Sequence, residues 1–290
     1  MIQEKIHEPE YWACLWTETQ RESILRQTQL EYPERWRRFY DEVADLWEPV
    51  AGGGVPGDAV ATLLSDLSGG AGTSLKGSSV VDVGCGAGGL SLALAKRGAR
   101  VTAVDDSPGM IGILNKKIGT AKFRDGGNVE ARLSPWTEIE AGTFDLAVAA
   151  FFPPAWEPEG VSRFERLSRD DCALVLPFGA DPFPIRAALW SALMKPGIPG
   201  RSMLLPYLFN YLYTLGRLPE IRHFSRVVKL DVDLETAVYF YARYFELFGH
   251  RGADPERTIR RVLNTFSRNG RIRATGESRA VLVSWKAPQD

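Results

Sequence analysis

A carboxylate followed closely by alternating glycines is the most chemically suggestive run in the chain: Asp82-Val83-Gly84-Cys85-Gly86-Ala87-Gly88. The apolar residues Val80 to Val83 read as a short buried strand, so Asp82 is delivered to the sheet's C-terminal edge. Open α/β sheets bind their ligands at that edge. Glycines lack a Cβ, which lets the backbone turn sharply and approach a ligand closely. A second acidic pair, Asp105-Asp106, follows the strand-like run Arg100 to Val104 and precedes Ser107-Pro108, a helix start.

Gly84, Gly86 and Gly89 also satisfy GxGxxG, the dinucleotide pattern, and Asp105 lies near the spacing of a ribose-binding acid. The carboxylate two residues before Gly84 separates the two readings. Asp82 would repel a pyrophosphate, so a nicotinamide-dependent oxidoreductase is the weaker reading. The same charge suits the amino group and sulfonium of S-adenosylmethionine (SAM), which carries no phosphate.

Val80 to Gly88 resembles motif I of class I SAM-dependent methyltransferases, and Val104-Asp105-Asp106-Ser107-Pro108-Gly109-Met110 is similar to that family's second-strand segment. The similarity covers Val80 to about Phe178. It implies SAM as cofactor, leaving as S-adenosylhomocysteine. It also implies that Asp82 and the loop Gly84, Cys85, Gly86, Ala87 and Gly88 serve the methionine part. Asp105 would accept both ribose hydroxyls, with Asp106 and Met110 bordering the adenine. Ser134, Pro135 and Trp136 after the third strand, and Ala150 and Phe151 ending the fourth, complete the expected site. Tyr40, with Trp36, comes from a segment resembling the helix that closes over the cofactor in small-molecule methyltransferases.

Two departures from the family pattern bear on the acceptor. Arg132-Leu133-Ser134-Pro135-Trp136 has no adenine-reading carboxylate; Ser134 offers a hydrogen bond and Trp136 a stacking face or a cover for the sheet edge. Phe151-Phe152-Pro153-Pro154-Ala155-Trp156 stands where amine-methylating enzymes carry Asn/Asp-Pro-Pro-aromatic, which argues against base-amine or glutamine methylation. Tyr40, His223, Asp231, Asp233, Tyr239, Tyr241 and His250 are polar candidates, none in a diagnostic motif, so no catalytic base is named.

Short apolar runs at 80–83, 100–104, 129–133, 144–150 and 173–176, with helical stretches between them, predict a doubly wound α/β fold with a mostly parallel sheet. An N-terminal helical segment is expected over 1–78, the SAM-binding core over 79–178, a mainly helical cap over 179–269, and a closing antiparallel hairpin over 270–290. Within the first, Trp36, Tyr40, Val43 and Trp47 share a helix face expected to pack onto the main domain, Gly52 to Gly57 break the chain, and Asp58 is a candidate N-cap. In the cap, Phe224 to Val232 reads as a strand, Asp233 as an N-cap, Gly249 as a helix stop, and Asn269-Gly270 as a turn. Arg271–Arg273 and Ala280–Trp285 are expected as two strands around Gly276.

A formal net charge of -1 gives no electrostatic case for nucleic acid or an anionic membrane. Met203 to Leu215 is too short for a membrane span, which needs about 20 apolar residues. With three separated cysteines, three histidines and no secretory signal, neither a disulfide framework nor a metal site is expected, and the chain reads as cytoplasmic. The leading expectation is a methyltransferase acting on a small molecule, as a monomer or homodimer. An RNA- or protein-modifying enzyme and a non-catalytic SAM-binding module are the alternatives.

Overall fold

The computed structural model describes residues 5–50, 57–67, 75–123, 126–194 and 204–288. Its sheet contains β1 (Ser79–Val83), β2 (Arg100–Asp105), β3 (Asn128–Leu133), β4 (Phe144–Ala150), β5 (Ser168–Phe178), β6 (Glu220–Asp233), β7 (Ser267–Arg268) and β8 (Arg271–Lys286). The order is β3-β2-β1-β4-β5-β8-β6, with β7 paired to β8. Strands β1 to β5 run parallel, whereas β8 is antiparallel to both β5 and β6. Chain order reverses between β1 and β4, so their C-terminal ends open a crevice at the switch point of the sheet. The expected doubly wound fold is therefore present.

Both faces of β1 and β4 are covered, which is why they read as unbroken apolar runs. One face packs Val80, Val101, Val148 and Val175 against α5 (Gly57–Leu67), α6 (Gly89–Ala95) and α7 (Pro108–Thr120). The other packs Val81, Val83, Leu174 and Val283 against α1 (Pro9–Glu22), α8 (Pro158–Glu165) and α10 (Leu204–Thr214). A separate, aromatic core forms between α3 (Pro33–Glu42), α4 (Ala44–Val50), α9 (Ile185–Leu193), α11 (Leu234–Glu246), α12 (Ala253–Asn264) and the distal half of β6. The short helix α2 (Ile24–Glu31) links α1 to α3.

Several boundary expectations change. The Trp36–Trp47 stripe is two helices, broken at Val43, and it packs in two directions: Tyr40 and Trp47 lie against Met110 and Ala87 of the main domain as expected, while Trp36 also meets Tyr244 and Phe248, and Phe39 meets Phe240. Asp58 lies in the first turn of α5, paired with Arg97, and does not cap it. The break at Gly52 falls mostly outside the described residues. Residues 179–269, expected as one cap, are divided, because α10 covers a sheet face beside α1 and β6 is a strand of the main sheet.

The closing antiparallel pair is built from β6 and β8, and β8 runs unbroken through Gly276. That glycine is not a turn. A Cβ there would lie 2.0 Å from the Pro182 carbonyl oxygen, so the chain after β5 crosses the strand where no side chain stands. The Asn269-Gly270 turn holds as expected: both residues have positive φ, 51° and 72°, and the two-residue loop joins β7 to β8. Asp233 does cap α11, accepting from the Thr236 amide at 2.8 Å. Among the described residues no helix is long and apolar enough to cross a membrane.

Gly276→Ala is expected to cost about 2 kcal/mol or more, since the added methyl meets rigid backbone. Gly119→Ala, whose Cβ meets nothing within 4 Å in α7, is expected to stabilise by about 0.5 to 1 kcal/mol. Urea unfolding of both variants checks the contrast.

Candidate functional site

The glycine-rich loop leaves β1 and is tied at once to its neighbour, since the Gly84 and Cys85 amides donate to the Val104 carbonyl at 2.8 and 3.0 Å. Asp105, at the end of β2, completes the join. One of its oxygens accepts from the Gly86 amide at 2.8 Å and the other from the Ser107 amide at 3.0 Å. Each oxygen keeps a second lone pair for a hydroxyl donor. Burial pushes the Asp105 pKa up to about 6, against the pull of the Ser107 and Gly86 amides.

The three loop glycines have positive φ but different neighbours. A Cβ on Gly84 would sit 2.2 Å from the Phe152 ring, and one on Gly88 would sit 2.1 Å from Leu114. Those two glycines make room for the protein's own side chains. On Gly86 a Cβ would meet only the Met110 sulfur, at 4.0 Å. Gly86, beside the Asp105 carboxylate, is thus where the loop has open space for a ligand. Ala87 and Met110 are buried together with Ala44, and Cys85 lies beneath the loop, its thiol pKa raised by burial and by Asp82.

Asp82 is placed differently from a surface contact, for it is 1% exposed. One oxygen accepts from the Ser91 hydroxyl at 2.5 Å, at the start of α6. Burial pushes its pKa up to about 7, with Ser91 opposing and Asp105 adding repulsion. Such a carboxylate favours a nearby cation through the loop instead of by direct exposure. Asp106 is exposed, and partial desolvation raises its pKa, with a backbone hydrogen bond and Arg37 opposing.

The remaining expected residues flank this centre. The Ser134 amide donates to the Asp105 carbonyl, and its hydroxyl turns to Glu138. Pro135 is exposed, while Trp136 is half-buried and meets Phe152 edge to face at 5.7 Å. Ala150 is buried at the end of β4. Phe151 adopts φ 55°, a left-handed conformation that costs energy for a residue with a side chain, and its amide donates to the Val175 carbonyl. The Tyr40 phenol is enclosed near Asp105 and Asp106, and burial raises its pKa. Among the other polar candidates, Asp231 pairs with Arg271 and Arg273, Asp233 is a cap, and Tyr239 is exposed. Tyr241 is buried in the aromatic core, and His223 lies against the Phe178 ring.

Sequence reading missed Asp41. Its carboxylate, from α3, accepts from the Ser107 hydroxyl at 2.5 Å and from the Gly109 amide at 3.1 Å. Ser107 in turn accepts from the Met110 amide at 3.2 Å, so two orphan donors of α7 are satisfied. The N-terminal segment therefore docks on the stretch that carries Asp105 and Asp106. Lys117 adds a second tie, donating to Glu48 at 2.7 Å and to the Ala87 carbonyl of the loop at 3.1 Å. No local pattern signals these contacts, because Asp41 lies 66 residues from Ser107.

Residues 80–170 match the family model described as "Methyltransferase domain". The match is to that segment alone. A 51-residue stretch is 43% identical to the Probable cobalt-precorrin-6B C(15)-methyltransferase (decarboxylating) of Methanobrevibacter smithii, covering 18% of this chain and 26% of that protein. The chain thus spans about a quarter of that curated relative. Among solved structures, it is similar to magnesium protoporphyrin IX methyltransferase from Synechocystis PCC 6803 with bound SAM, at 17% identity and TM-score 0.42 over 86% of this chain and 89% of that one. It is also similar to geranyl diphosphate C-methyltransferase from Streptomyces coelicolor A3(2), at 17% identity and TM-score 0.42 over 79% and 78%. The open side of Gly86, the lone pairs of Asp105 and the buried carboxylate of Asp82 fit SAM, the cofactor that the sequence resemblance implies.

Both aspartates have folded pKa values above the ordinary 3.8. The cost of burying them ionised is absent below that value, grows as pH rises, and is complete above about 7. A cationic ligand prefers the ionised pair, so SAM affinity should rise about tenfold between roughly pH 5.5 and 7.5, with protons released on binding. Calorimetry in buffers of different ionisation enthalpy measures both, and a flat profile would refute the assignment. Asp41→Ala should cost about 1 kcal/mol of stability by uncapping α7 and weaken SAM several-fold.

Proposed function

We propose that the protein is a SAM-dependent methyltransferase acting on a small molecule. The observation that carries this reading is the Asp105 carboxylate, held at both oxygens beside the open face of Gly86 within a methyltransferase domain. In this reading Asp105 holds the ribose hydroxyls, Gly86 lets the backbone approach the methionine part, and Met110 and Asp106 border the adenine. Asp82 offsets the cofactor's positive charge from beneath the loop.

When bound, SAM would supply a methyl group on a sulfonium, open to direct attack by the acceptor's lone pair, with the carbon–sulfur electron pair leaving on S-adenosylhomocysteine. The chain's own task is to align the acceptor and exclude water. Phe151 and Phe152 follow β4 at the switch point, and Trp136 closes on Phe152 from the third strand. These side chains give the acceptor space an apolar wall. Tyr40 and Trp47, in contact at 5.2 Å, come from the docked N-terminal helices and cover the aspartates from the other side. Among these rings only the Tyr40 phenol titrates, and burial raises its pKa so that it stays protonated at neutral pH; in this reading the acceptor brings its own nucleophilicity or loses its proton to solvent.

A small acceptor accords with the enclosure of the site by α3, α4 and the rings after β4. The three free cysteines, one exposed, one half-buried and one buried, are consistent with a reducing compartment, which we take to be the cytoplasm.

Purified protein should bind SAM at micromolar affinity, and Asp105→Ala should weaken binding at least a hundredfold while leaving the unfolding transition cooperative. Unchanged affinity in that variant would remove the site. Methyl transfer across a panel of small acceptors tests the activity. Tight SAM binding without transfer to any acceptor would instead favour a binding module, and steeply salt-dependent RNA retention would favour a macromolecular substrate.

A further inference from the structure

On the outer side of α3, away from Tyr40 and Asp41, a cleft of about 270 Å³ opens between α3 and the end of α11. Its walls carry four arginines, Arg35, Arg38, Arg243 and Arg251, against two carboxylates, Glu42 and Glu246. Phe39 and Leu247 form an apolar floor. The spacing explains the grouping: 35, 38, 39 and 42 share one stripe of α3, and 243, 246 and 247 share one stripe of α11 and its end.

Two of the cations are already answered. Arg38 pairs with Glu42 at 3.6 Å, and Arg243 pairs with Glu246 at 3.1 Å. Arg35 lies over the Tyr32 ring at 4.2 Å and, like Arg251, has no carboxylate partner among the described residues. Two uncompensated charges therefore border a single open cleft. Guanidinium groups present planar donor forks that match phosphate oxygens, and a phosphate group carries close to two negative charges at neutral pH.

We infer that this cleft binds a phosphate-bearing small molecule, bridging the N-terminal segment and α11 at a place separate from the methyl-transfer site. The occupant accepts from the unpaired guanidinium groups of Arg35 and Arg251 and relieves repulsion between the cations that line the cleft. It also fastens α3, whose opposite side docks on Ser107 and Gly109.

Calorimetric titration of the full chain tests this, with inorganic diphosphate and glycerol 3-phosphate in parallel at constant ionic strength and without SAM. Saturable one-to-one binding of either is expected. Tighter diphosphate would indicate a free phosphate, and tighter ester a phosphorylated metabolite. Arg35→Gln with Arg251→Gln should weaken the preferred ligand at least tenfold. Arg257→Gln with Arg261→Gln, on the solvated face of α12, removes the same charge and should leave it intact. No saturable binding of either ligand, or equal weakening in both double variants, would overturn the proposal. SAM affinity of the first double variant, measured separately, should be unchanged, which keeps this test independent of the methyltransferase reading.

Discussion

The Asp105 carboxylate joins three pieces of chain that sequence keeps apart. Through the Gly86 amide it holds the loop after β1, through the Ser107 amide it orders the entry to α7, and its own carbonyl receives the Ser134 amide after β3. Ends of three adjacent strands are thus set in register by one residue. The arrangement works because each carboxylate oxygen can accept more than one donor. The group that fixes the loop still has lone pairs to offer a ligand. Its burial, which raises its pKa, is the cost of that placement, and a bound cation or hydroxyl pair offsets it.

Around this centre the N-terminal segment has a role beyond packing. Asp41 satisfies α7 donors that would otherwise face solvent, and Gly109 admits the approach, since a Cβ there would lie 3.0 Å from Ala44 and from the Asp41 carbonyl. Lys117 fastens Glu48 to the glycine-rich loop. The break at Val43 lets α3 turn its aromatic residues to α11 while α4 lies against α7. One segment therefore couples the cofactor loop to the aromatic core built by the chain after β5.

That later chain serves two purposes. Its helix α10 and strand β6 complete the layers of the main sheet, whereas α9, α11 and α12 form the aromatic core with α3 and α4. Gly276 marks where the two meet, as the Pro182 backbone crosses β8 with no room for a side chain. Phe151, held at positive φ where β4 meets the crevice, is a second place where the backbone departs from its preferred conformation.

What the residues alone determined was the local chemistry. Alternating apolar runs, the motif from Asp82 to Gly88, the helix start at Pro108, the cap at Asp233, and the Asn269-Gly270 turn each depend on neighbours within a few positions, so their outcome was legible. Tertiary structure alone decided which loop glycine has open space beside it and which face Phe152 or Leu114. It also decided that Asp82 is buried beneath the loop, that Asp41 caps a helix far along the chain, and that Gly276 lies within a strand. A glycine looks the same in sequence whether a ligand, a side chain or a crossing backbone takes the place of its Cβ. An acid looks the same whether its partner is next to it or 66 residues away. Those distinctions arise only when distant segments are packed together, because they belong to the space between residues and not to the residues.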